Sequence, residues 1–345
     1  MSEGFGIFMA VAPGLEEALA EEAREKGFED ARAVPGGVEA QGGWHEVWRA
    51  NLEMRGAARI LVRIGAFRAF HLAQLDKRAR KFDWAQVLRA DVPVRVEVTC
   101  RKSKIYHAGA AQQRIERAIA EELGAPVTKA AALVVKVRIE DDLVMLSLDS
   151  SGEALHKRGH KPAVGKAPMR ENLAALFLRQ AGYRGEEPVL DPMCGSGTFP
   201  IEAAEIAAGL QPGRSRGFAF EEMAGFDADA FSALKRQGGP APEARFYGYD
   251  RDQGAISNAG ANAERAGVAA WTSFECRPVS ALEPPEGSPG LVIANPPYGG
   301  RIGNRKLLFA LYGSFGQVLR ERFCGLAGCG CHLGCRTGQS DGDAV

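Results

Sequence analysis

The stretch Val189-Leu190-Asp191-Pro192-Met193-Cys194-Gly195-Ser196-Gly197-Thr198 decides the fold prediction. It starts as a short buried strand and passes through a turn with two glycines into the apolar helical segment 199–208. Because glycine has no side chain, the backbone can approach a ligand closely and present its amides near a helix N-terminus. The stretch therefore predicts a nucleotide-type cradle, and a purely structural glycine turn is the alternative.

The sequence around this stretch predicts a parallel sheet. From residue 172 onward, helical segments alternate with short apolar segments, which is typical of parallel strands covered by helices. The predicted strands are 188–191, 245–250, 272–276 and 291–294, and the predicted helices are 173–181, 199–208, 255–266 and 306–322.

A second acidic residue ends the next predicted strand, in Tyr247-Gly248-Tyr249-Asp250-Arg251-Asp252. A carboxylate at such a position accepts the two ribose hydroxyls of a nucleoside in open α/β sheets. We therefore predict that Asp250 binds a ribose and that Asp191, at the end of the first strand, pairs with a ligand ammonium group. An exposed turn residue is the alternative for Asp250.

The tetrapeptide Asn295-Pro296-Pro297-Tyr298 follows the apolar strand 291–294 directly. Two prolines in a row hold the chain extended and leave its carbonyls outside any strand ladder. The Asn295 side-chain oxygen and the Pro296 carbonyl can then accept both hydrogens of an exocyclic amine, while Tyr298 stacks on the base. This arrangement predicts catalysis by positioning of an amine next to an electrophile. A structural Pro-Pro turn is the alternative.

In this order the three elements resemble the class I S-adenosylmethionine-dependent methyltransferases that act on amines. The resemblance implies S-adenosylmethionine as the cofactor and Asn295, Pro296, Pro297 and Tyr298 as the catalytic motif. Many family members bind adenine through an acidic residue after the third strand, and Ser280 is the candidate in the equivalent stretch here. Cys194 as a covalent nucleophile is rejected, because the amine-orienting motif makes a nucleophile unnecessary. The cofactor-binding residues implied are Asp191, Pro192, Cys194, Gly195, Ser196, Gly197, Thr198, Asp250, Arg251 and Ser280.

Charge is distributed unevenly along a chain whose formal net charge is zero. Residues 1–54 contain 4 Lys or Arg and 11 Asp or Glu, whereas residues 55–120 contain 15 and 5, so the formal charge changes from −7 to +10. Another basic segment lies within 151–170. A basic module fits a phosphate backbone as partner, and helices that expose Lys and Arg to water are the alternative. The predicted RNA-binding residues are Arg101, Lys102, Lys104, Lys157, Arg158 and Lys161.

Three further stretches extend the resemblance. They are Ser103-Lys104-Ile105-Tyr106-His107, residues 151–159 and residues 167–175, and they resemble the THUMP-containing guanine-N2 RNA methyltransferases, which act on rRNA or tRNA. The resemblance implies an α/β fold in which a class I, Rossmann-like methyltransferase domain follows α+β ferredoxin-like and THUMP domains. The predicted parts are a ferredoxin-like domain at 1–55, a THUMP domain at 56–152, a basic connector at 153–170, the methyltransferase domain at 171–323 and an irregular tail at 324–345.

The tail departs from the family pattern. Family sheets have three strands after the catalytic motif, but residues 324–345 contain six glycines and almost no strand pattern. The sequence therefore predicts a C-terminally incomplete methyltransferase domain with a disordered tail. A zinc site at Cys324, Cys329, Cys331, His332 and Cys335 is the alternative, but their spacing does not match paired Cys-x-x-Cys ligands, and no metal site is predicted.

The composition indicates the general class of protein and its predicted location. The chain is 46% hydrophobic and 25% charged, which is typical of globular proteins. No apolar run reaches the ~18 residues of a membrane span, and the scattered cysteines of residues 1–323 do not suggest a disulfide framework, so a cytoplasmic protein without membrane or obligate protein partners is predicted.

The predicted function is transfer of a methyl group to the exocyclic N2 amine of guanosine in structured rRNA or tRNA. The alternatives are a non-catalytic RNA-binding remnant of such an enzyme, or an amino-methyltransferase that acts on DNA adenine or protein glutamine.

Overall fold

The computed structural model describes residues 4–161, 169–287, 290–297, 305–323 and 331–333. The chain divides into two compact units. Unit 1 consists of Met1–Arg158 and Gln211–Arg236, and unit 2 of Gly159–Leu210 and Gln237–Val345. The predicted methyltransferase segment 171–323 is therefore interrupted, because 26 of its residues, 211–236, belong to unit 1. The predicted domain boundaries themselves stay predictions.

Unit 1 is an α+β structure. Its strands are β1 (Phe5–Ala10), β2 (Arg32–Val34), β3 (Gly37–Gly42), β4 (Arg59–Arg68), β5 (Val94–Arg101), β6 (Leu133–Glu140) and β7 (Leu143–Asp149). Its helices are α1 (Glu16–Glu25), α2 (Trp44–Glu53), α3 (Leu72–Arg80), α4 (Ala108–Glu122) and α7 (Ala228–Ala233), with 3-10 turns at Trp84–Gln86 and Ala219–Glu222.

All seven strands of unit 1 form one sheet, in the order β2-β3-β1-β4-β7-β6-β5. The two predicted α+β regions meet at β4, which pairs antiparallel with β1 on one side and with β7 on the other. The turn between β6 and β7 contains Asp141 and Asp142, both with positive φ (49° and 62°), as a two-residue hairpin requires. The sheet is thus continuous across the boundary predicted near residue 55.

The segment 211–236 contributes an aromatic cluster to unit 1. Phe218 and Phe220 stack with ring centroids 5.0 Å apart, and Phe231 lies edge-on to Phe220 at 5.0 Å. Trp48 of α2 packs edge-on against Phe226 at 5.8 Å. Aromatic pairs of this kind add to the gain from burial, so these contacts hold the segment on unit 1.

Unit 2 alternates strands and helices. Its strands are β8 (Val189–Asp191), β9 (Phe246–Asp250), β10 (Thr272–Cys276), β11 (Leu291–Ala294) and β12 (Cys331–Leu333). Its helices are α5 (Glu171–Gln180), α6 (Thr198–Ala207), α8 (Gln253–Ala266) and α9 (Arg305–Val318), and α9 ends in a π-helical turn at Leu319–Phe323.

The strands of unit 2 form a parallel sheet in the order β10-β9-β8-β11-β12. Side chains alternate across it: Val189 and Ile293 pack with α5, α6 and α8 on one face, whereas Leu190 and Val292 pack with Phe315 of α9 on the other. A sheet covered on both faces explains why β8 and β11 are buried along their whole length. The predicted α/β fold is confirmed.

The tail 324–345 was predicted to be irregular and disordered, and this prediction is wrong for the strand Cys331–Leu333. This segment pairs parallel with β11, with Cys331 opposite Val292 and Leu333 opposite Ala294. A parallel ladder needs only backbone N–H and C=O groups, so the glycine-rich composition around the segment did not reveal it. The remaining tail residues, with Cys324, Cys329 and Cys335, lie outside the described residues.

None of the helices in the described ranges has the length and apolar character that a bilayer crossing demands.

Candidate active site

The candidate site lies where the strand order of unit 2 reverses. The chain runs from β8 outward to β9 and β10, then returns to place β11 on the other side of β8. In open α/β sheets, ligands bind outside the carboxyl ends of the strands at such a switch point. A cavity of about 450 Å³ is found there, lined by residues that follow β8, β9, β10 and β11. Topology therefore brings together the three motifs that the sequence separates.

The two glycines after β8 have different roles. Gly195 has φ of 53° and lines the cavity, and a Cβ built on it would meet no atom within 4 Å. Gly197 has φ of 83°, and its Cβ would lie 3.0 Å from Ala259 of α8 and from Phe274 of β10. Gly197 is therefore needed for close packing of the turn. It is the one predicted cofactor residue that is not among the residues described as lining the cavity.

Asp191 and Asp250 place two carboxylates on the cavity wall. Asp191 is buried, and one of its oxygens accepts the N–H of Met193 at 3.0 Å. Burial, reinforced by the charge of Asp250, raises the pKa of Asp191 to about 8. The oxygens of Asp250 accept the N–H groups of Gly195 and Asp252, both at 3.0 Å, so this carboxylate also fastens the glycine turn to the end of β9.

Cys194 lines the cavity and is buried. Burial, together with the nearby charges of Asp191 and Asp250, raises the pKa of its thiol well above the ordinary range. A thiol in these surroundings stays protonated and is a poor nucleophile. The structure therefore favours the same conclusion as the sequence, that Cys194 belongs to the wall of the site and does not attack a substrate.

The segment after β11 forms the opposite wall. Asn295 and Pro297 line the cavity, and Pro296 between them is buried. The Tyr312 hydroxyl of α9 donates to the Pro297 carbonyl at 3.2 Å and so holds the Pro-Pro segment in place. The fourth residue of the predicted catalytic motif, Tyr298, lies outside the described residues.

The remaining wall comes from the end of β10 and from residues that the sequence did not single out as site residues. Ser280 lines the cavity with Pro278 and Val279, as does Arg251 after β9. The Arg277 guanidinium lies 5.2 Å from the centre of the Tyr249 ring, and the Arg277 N–H donates to the Asp250 carbonyl. No local motif identifies the other lining residues, because only tertiary packing brings them to the site: Met169, Phe199, Leu311 and Ser314.

Two of the six predicted RNA-binding residues are buried and cannot contact RNA as the structure stands. The side chain of Arg158, 2% exposed, donates to the carbonyls of Leu155 and Arg55. The side chain of Lys161 is 5% exposed and pairs with Glu171 at 2.9 Å. These two predictions are wrong, since both side chains are buried and have partners within the protein.

The other four predicted residues lie on the surface of unit 1. Lys157 is exposed and pairs with Glu153, and Arg101 lies 3.7 Å from Glu140. Lys102 and Lys104 are exposed, and among the described residues no carboxylate is found within ion-pair distance of either. The strand β5 ends at Arg101, and Lys102 and Lys104 follow it.

Exposed aromatic side chains accompany these cations. Tyr106 is 84% exposed and Phe70, after β4, is 41% exposed. The Lys104 ammonium lies 4.9 Å from the centre of the Phe70 ring. The turn between β6 and β7 joins the two segments, because the Asp142 side chain accepts from the Lys104 N–H and the Asp142 carbonyl accepts from the Ala69 N–H. We call Phe70, Arg101, Lys102, Lys104 and Tyr106 the cationic-aromatic surface.

Comparison with known proteins decides the family. Residues 158–334, just over half of the chain, match the family model described as "RMKL-like, methyltransferase domain". The chain belongs to this family. Residues 6–61 match the model "RlmL ferredoxin-like domain", which confirms the predicted ferredoxin-like fold at the N-terminus.

Relatives over nearly the whole length agree with this assignment. The methyltransferase is 31% identical over 330 residues to "Putative RNA methyltransferase slr0064" of Synechocystis sp., with 92% of this chain and 86% of the relative covered. It is also similar to the crystal structure of "a predicted N6-adenine-specific DNA methylase" from Listeria monocytogenes, with a TM-score of 0.83, 29% identity and coverage of 93% and 87%. "SMU.472, a putative methyltransferase complexed with SAH" superposes with a TM-score of 0.82, 27% identity and the same coverage.

As a member of this family the protein is an S-adenosylmethionine-dependent methyltransferase, as predicted. The residues present fit that cofactor. Gly195 leaves open space where a side chain would stand, and the carboxylates of Asp191 and Asp250 face a cavity that offers acceptors for an ammonium group and for ribose hydroxyls. A charge-poor wall near Cys194 and Val279 suits the less polar parts of the molecule.

Proposed function

We propose that this methyltransferase transfers a methyl group to the exocyclic N2 amine of guanosine in structured rRNA or tRNA. The main support is the position of Asn295 and Pro297 on the wall of the cavity that also holds Asp191 and Asp250. An amine held at this wall lies next to the methyl donor, and such placement lowers the barrier without any strong base.

Each residue has a defined task in this proposal. S-adenosylmethionine, when bound, supplies an electrophilic methyl group on a sulfonium. The Asn295 side-chain oxygen and the Pro296 carbonyl accept the two hydrogens of the amine, so its lone pair turns toward that methyl group. Tyr312 keeps the segment in shape through the Pro297 carbonyl. As the new N–C bond formed, the bond between the methyl group and sulfur would break, its electron pair would stay on the sulfur of S-adenosylhomocysteine, and the nitrogen would become cationic and release one proton to solvent.

In this proposal, the predicted residues of the cavity wall bind the cofactor. Asp191 accepts from the ammonium group of the methionyl part, Asp250 accepts from the ribose hydroxyls, and Ser280 lies at the adenine end. The glycine turn approaches the ligand through Gly195. The adenine is the least constrained part, because 277–280 offers no carboxylate to its amine.

RNA as the substrate is supported by the cationic-aromatic surface and by the name of the Synechocystis relative. Cations bind phosphates, and exposed aromatic rings stack with unpaired bases. Phe70 lies next to the Lys104 ammonium, and the exposed Tyr106 follows Lys104 by two residues in the chain, so this surface offers both kinds of contact. We assign this surface to the predicted THUMP domain, 56–152, as an RNA-gripping site.

Methylation of DNA adenine at N6 is the second candidate, because the Listeria relative is named for that reaction. Adenine N6 and guanine N2 are both exocyclic amines, so Asn295 and Pro296 suit either one. The cationic-aromatic surface favours RNA, whose unpaired loops and bulges present bases for stacking.

One experiment separates these candidates. The protein is incubated with tritiated S-adenosylmethionine and either total bacterial RNA or duplex DNA of mixed sequence, and the products are digested to nucleosides. We expect label in N2-methylguanosine from RNA only. Label in N6-methyladenine from DNA would replace the proposal by the second candidate, and RNA binding without any label would favour a non-catalytic remnant.

A further inference from the structure

We propose that Lys161, which the sequence suggests as an RNA contact, is a positioning residue of the cofactor site: it orients the Thr198 hydroxyl toward the carboxylate of the methionyl part of S-adenosylmethionine. The inference rests on the proposed use of the cavity as the cofactor site. It gives a role to the buried ammonium of Lys161, which takes no part in the transfer of the methyl group.

The geometry around the Lys161 ammonium is closely defined. It donates to the Thr198 hydroxyl oxygen at 2.7 Å and to the Met169 carbonyl at 3.1 Å, and it lies 2.9 Å from the Glu171 carboxylate. Both Thr198 and Met169 line the cavity, whereas Lys161 stands behind them. Among the described residues the ammonium thus has three partners, and two of them belong to the wall of the site.

The hydrogen bond from Lys161 determines what the Thr198 hydroxyl can do. A hydroxyl has one hydrogen to donate, and here its oxygen is already engaged as an acceptor. Its hydrogen can point to the Met169 carbonyl, which is 3.4 Å away and therefore a weak acceptor, or into the cavity. The ammonium accordingly prepares Thr198 to donate to an anionic ligand group in the cavity.

The neighbouring groups indicate which ligand group this is. Asp191, on the same wall, suits the ammonium of the methionyl part, and the carboxylate of an amino acid is attached to the same carbon as its ammonium. The site for the carboxylate must therefore adjoin Asp191. Thr198 follows the same glycine turn, so the pair can hold both charges of a zwitterion.

A buried Lys161–Glu171 ion pair could also serve only to join the two segments of the fold. Its side chains are 5% and 9% exposed, and removal of one partner from such a pair destabilises a protein whether or not the pair has a further role. The test therefore needs a variant that leaves the ion pair intact. Thr198→Val removes only the hydroxyl, and Thr198→Ser retains it.

The test compares two ligands by calorimetry on the full chain. S-adenosylhomocysteine has the amino-acid group, and 5′-methylthioadenosine lacks it. We expect Thr198→Val to weaken S-adenosylhomocysteine about tenfold and to leave 5′-methylthioadenosine unchanged, because a hydrogen bond to a charged group is lost. Lys161→Met should also reduce the preference for S-adenosylhomocysteine over 5′-methylthioadenosine. Thr198→Ser should retain this preference.

Three outcomes would overturn the inference. Equal weakening of both ligands in Thr198→Val would mean that the hydroxyl only supports the fold of the site, and an unchanged preference would mean that it does not face the carboxylate. If the unaltered protein bound 5′-methylthioadenosine but gained nothing from the amino-acid group, the inference would fail while the cofactor site stood. Binding of neither ligand would overturn the proposed function itself.

Discussion

At the residue scale, Asp191 makes the stability of the folded chain sensitive to pH. Its pKa of about 8 lies above the ordinary 3.8, because burial disfavours the charged form. The folded chain without ligand therefore holds this proton more tightly than the unfolded chain does. The contribution of Asp191 to stability is fully present below about pH 4 and is lost as pH rises through about 8.

This shift gives a prediction for Asp191→Asn. The variant cannot ionise, so its free energy of unfolding should fall less than that of the unaltered protein between pH 6 and pH 8.5, with a difference of up to about 1.4 kcal/mol per pH unit. Urea unfolding at the two pH values measures this. Parallel pH dependences for the two proteins would show that Asp191 is already charged at pH 6.

The same group should couple cofactor binding to pH. A ligand ammonium favours the ionised carboxylate, so the affinity of the unaltered protein for S-adenosylhomocysteine should increase from pH 6 to pH 8.5 as Asp191 loses its proton. The affinity of Asp191→Asn should be lower and nearly independent of pH over this range. Calorimetric titration checks this prediction, and an affinity that falls with pH in the unaltered protein would contradict it.

Single residues also mark the limit of sequence-based prediction. The positions of Asp191, Asp250 and Asn295 were predictable because each lies at the carboxyl end of a strand, and parallel strands bring these ends to one edge of the sheet. Lys161 and Arg158 were not, because burial of a long cationic side chain depends on partners such as Glu171 and the Arg55 carbonyl that tertiary folding supplies.

At the scale of elements, the glycine turn between β8 and α6 offers a matched pair of substitutions. Gly197→Ala would place a methyl group 3.0 Å from Ala259 and Phe274 in addition to the cost of a positive φ. Gly195→Ala has the same type of backbone cost but open space around it. We expect Gly197→Ala to destabilise the protein more, by about 1–3 kcal/mol beyond Gly195→Ala.

Thermal or urea unfolding of the two variants measures this difference. Equal destabilisation would mean that α8 and β10 shift at little cost to admit the methyl group. Calorimetry with S-adenosylhomocysteine measures the effect of each substitution on cofactor binding, since Gly195 lines the cavity and Gly197 is not among its lining residues.

Most helices and strands could be predicted from periodicity, and the exceptions have physical reasons. The strands Thr272–Cys276 and Leu291–Ala294 agree with their predicted limits. The strand Cys331–Leu333 escaped prediction because its neighbours are glycines and a parallel partner determines it. The helix Ala228–Ala233 is short and is held by aromatic contacts to Trp48, which local sequence does not encode.

At the scale of the whole molecule, charge along the chain is a poor guide to charge on its surface. Many of the 15 cations in residues 55–120 have carboxylate partners in the structure. Arg80 pairs with Asp76, Glu121 and Glu122, Arg63 with Glu39, and Arg59 with Asp149. The formal charge of +10 therefore overstates the field that a nucleic acid would meet.

The cationic-aromatic surface gives a prediction that separates its two kinds of contact. The double substitution Lys102→Ala and Lys104→Ala should weaken RNA binding and reduce the slope of log affinity against log salt by up to about 2, since each phosphate contact contributes roughly 1. Tyr106→Ala should weaken binding of single-stranded RNA about tenfold and leave the slope unchanged, because stacking releases no counterions.

Fluorescence anisotropy with a labelled RNA hairpin between 50 and 300 mM salt checks these expectations. Arg89→Ala is the matched control, because Arg89 is also an exposed cation of unit 1 but pairs with Asp91. A slope that changes equally in the control and in the double variant would show that the RNA contacts some other part of the chain.

The central claim is that Asn295 positions a guanosine amine beside S-adenosylmethionine. The most direct measurement follows methyl transfer from tritiated S-adenosylmethionine to RNA by the unaltered protein and by Asn295→Ala, with binding of S-adenosylhomocysteine measured in both. We expect the unaltered protein to form N2-methylguanosine and Asn295→Ala to lose about 10²-fold or more of that rate while it retains the cofactor analogue. An Asn295→Ala variant that methylates guanosine at the unaltered rate, or label that appears in another nucleoside, would contradict the claim.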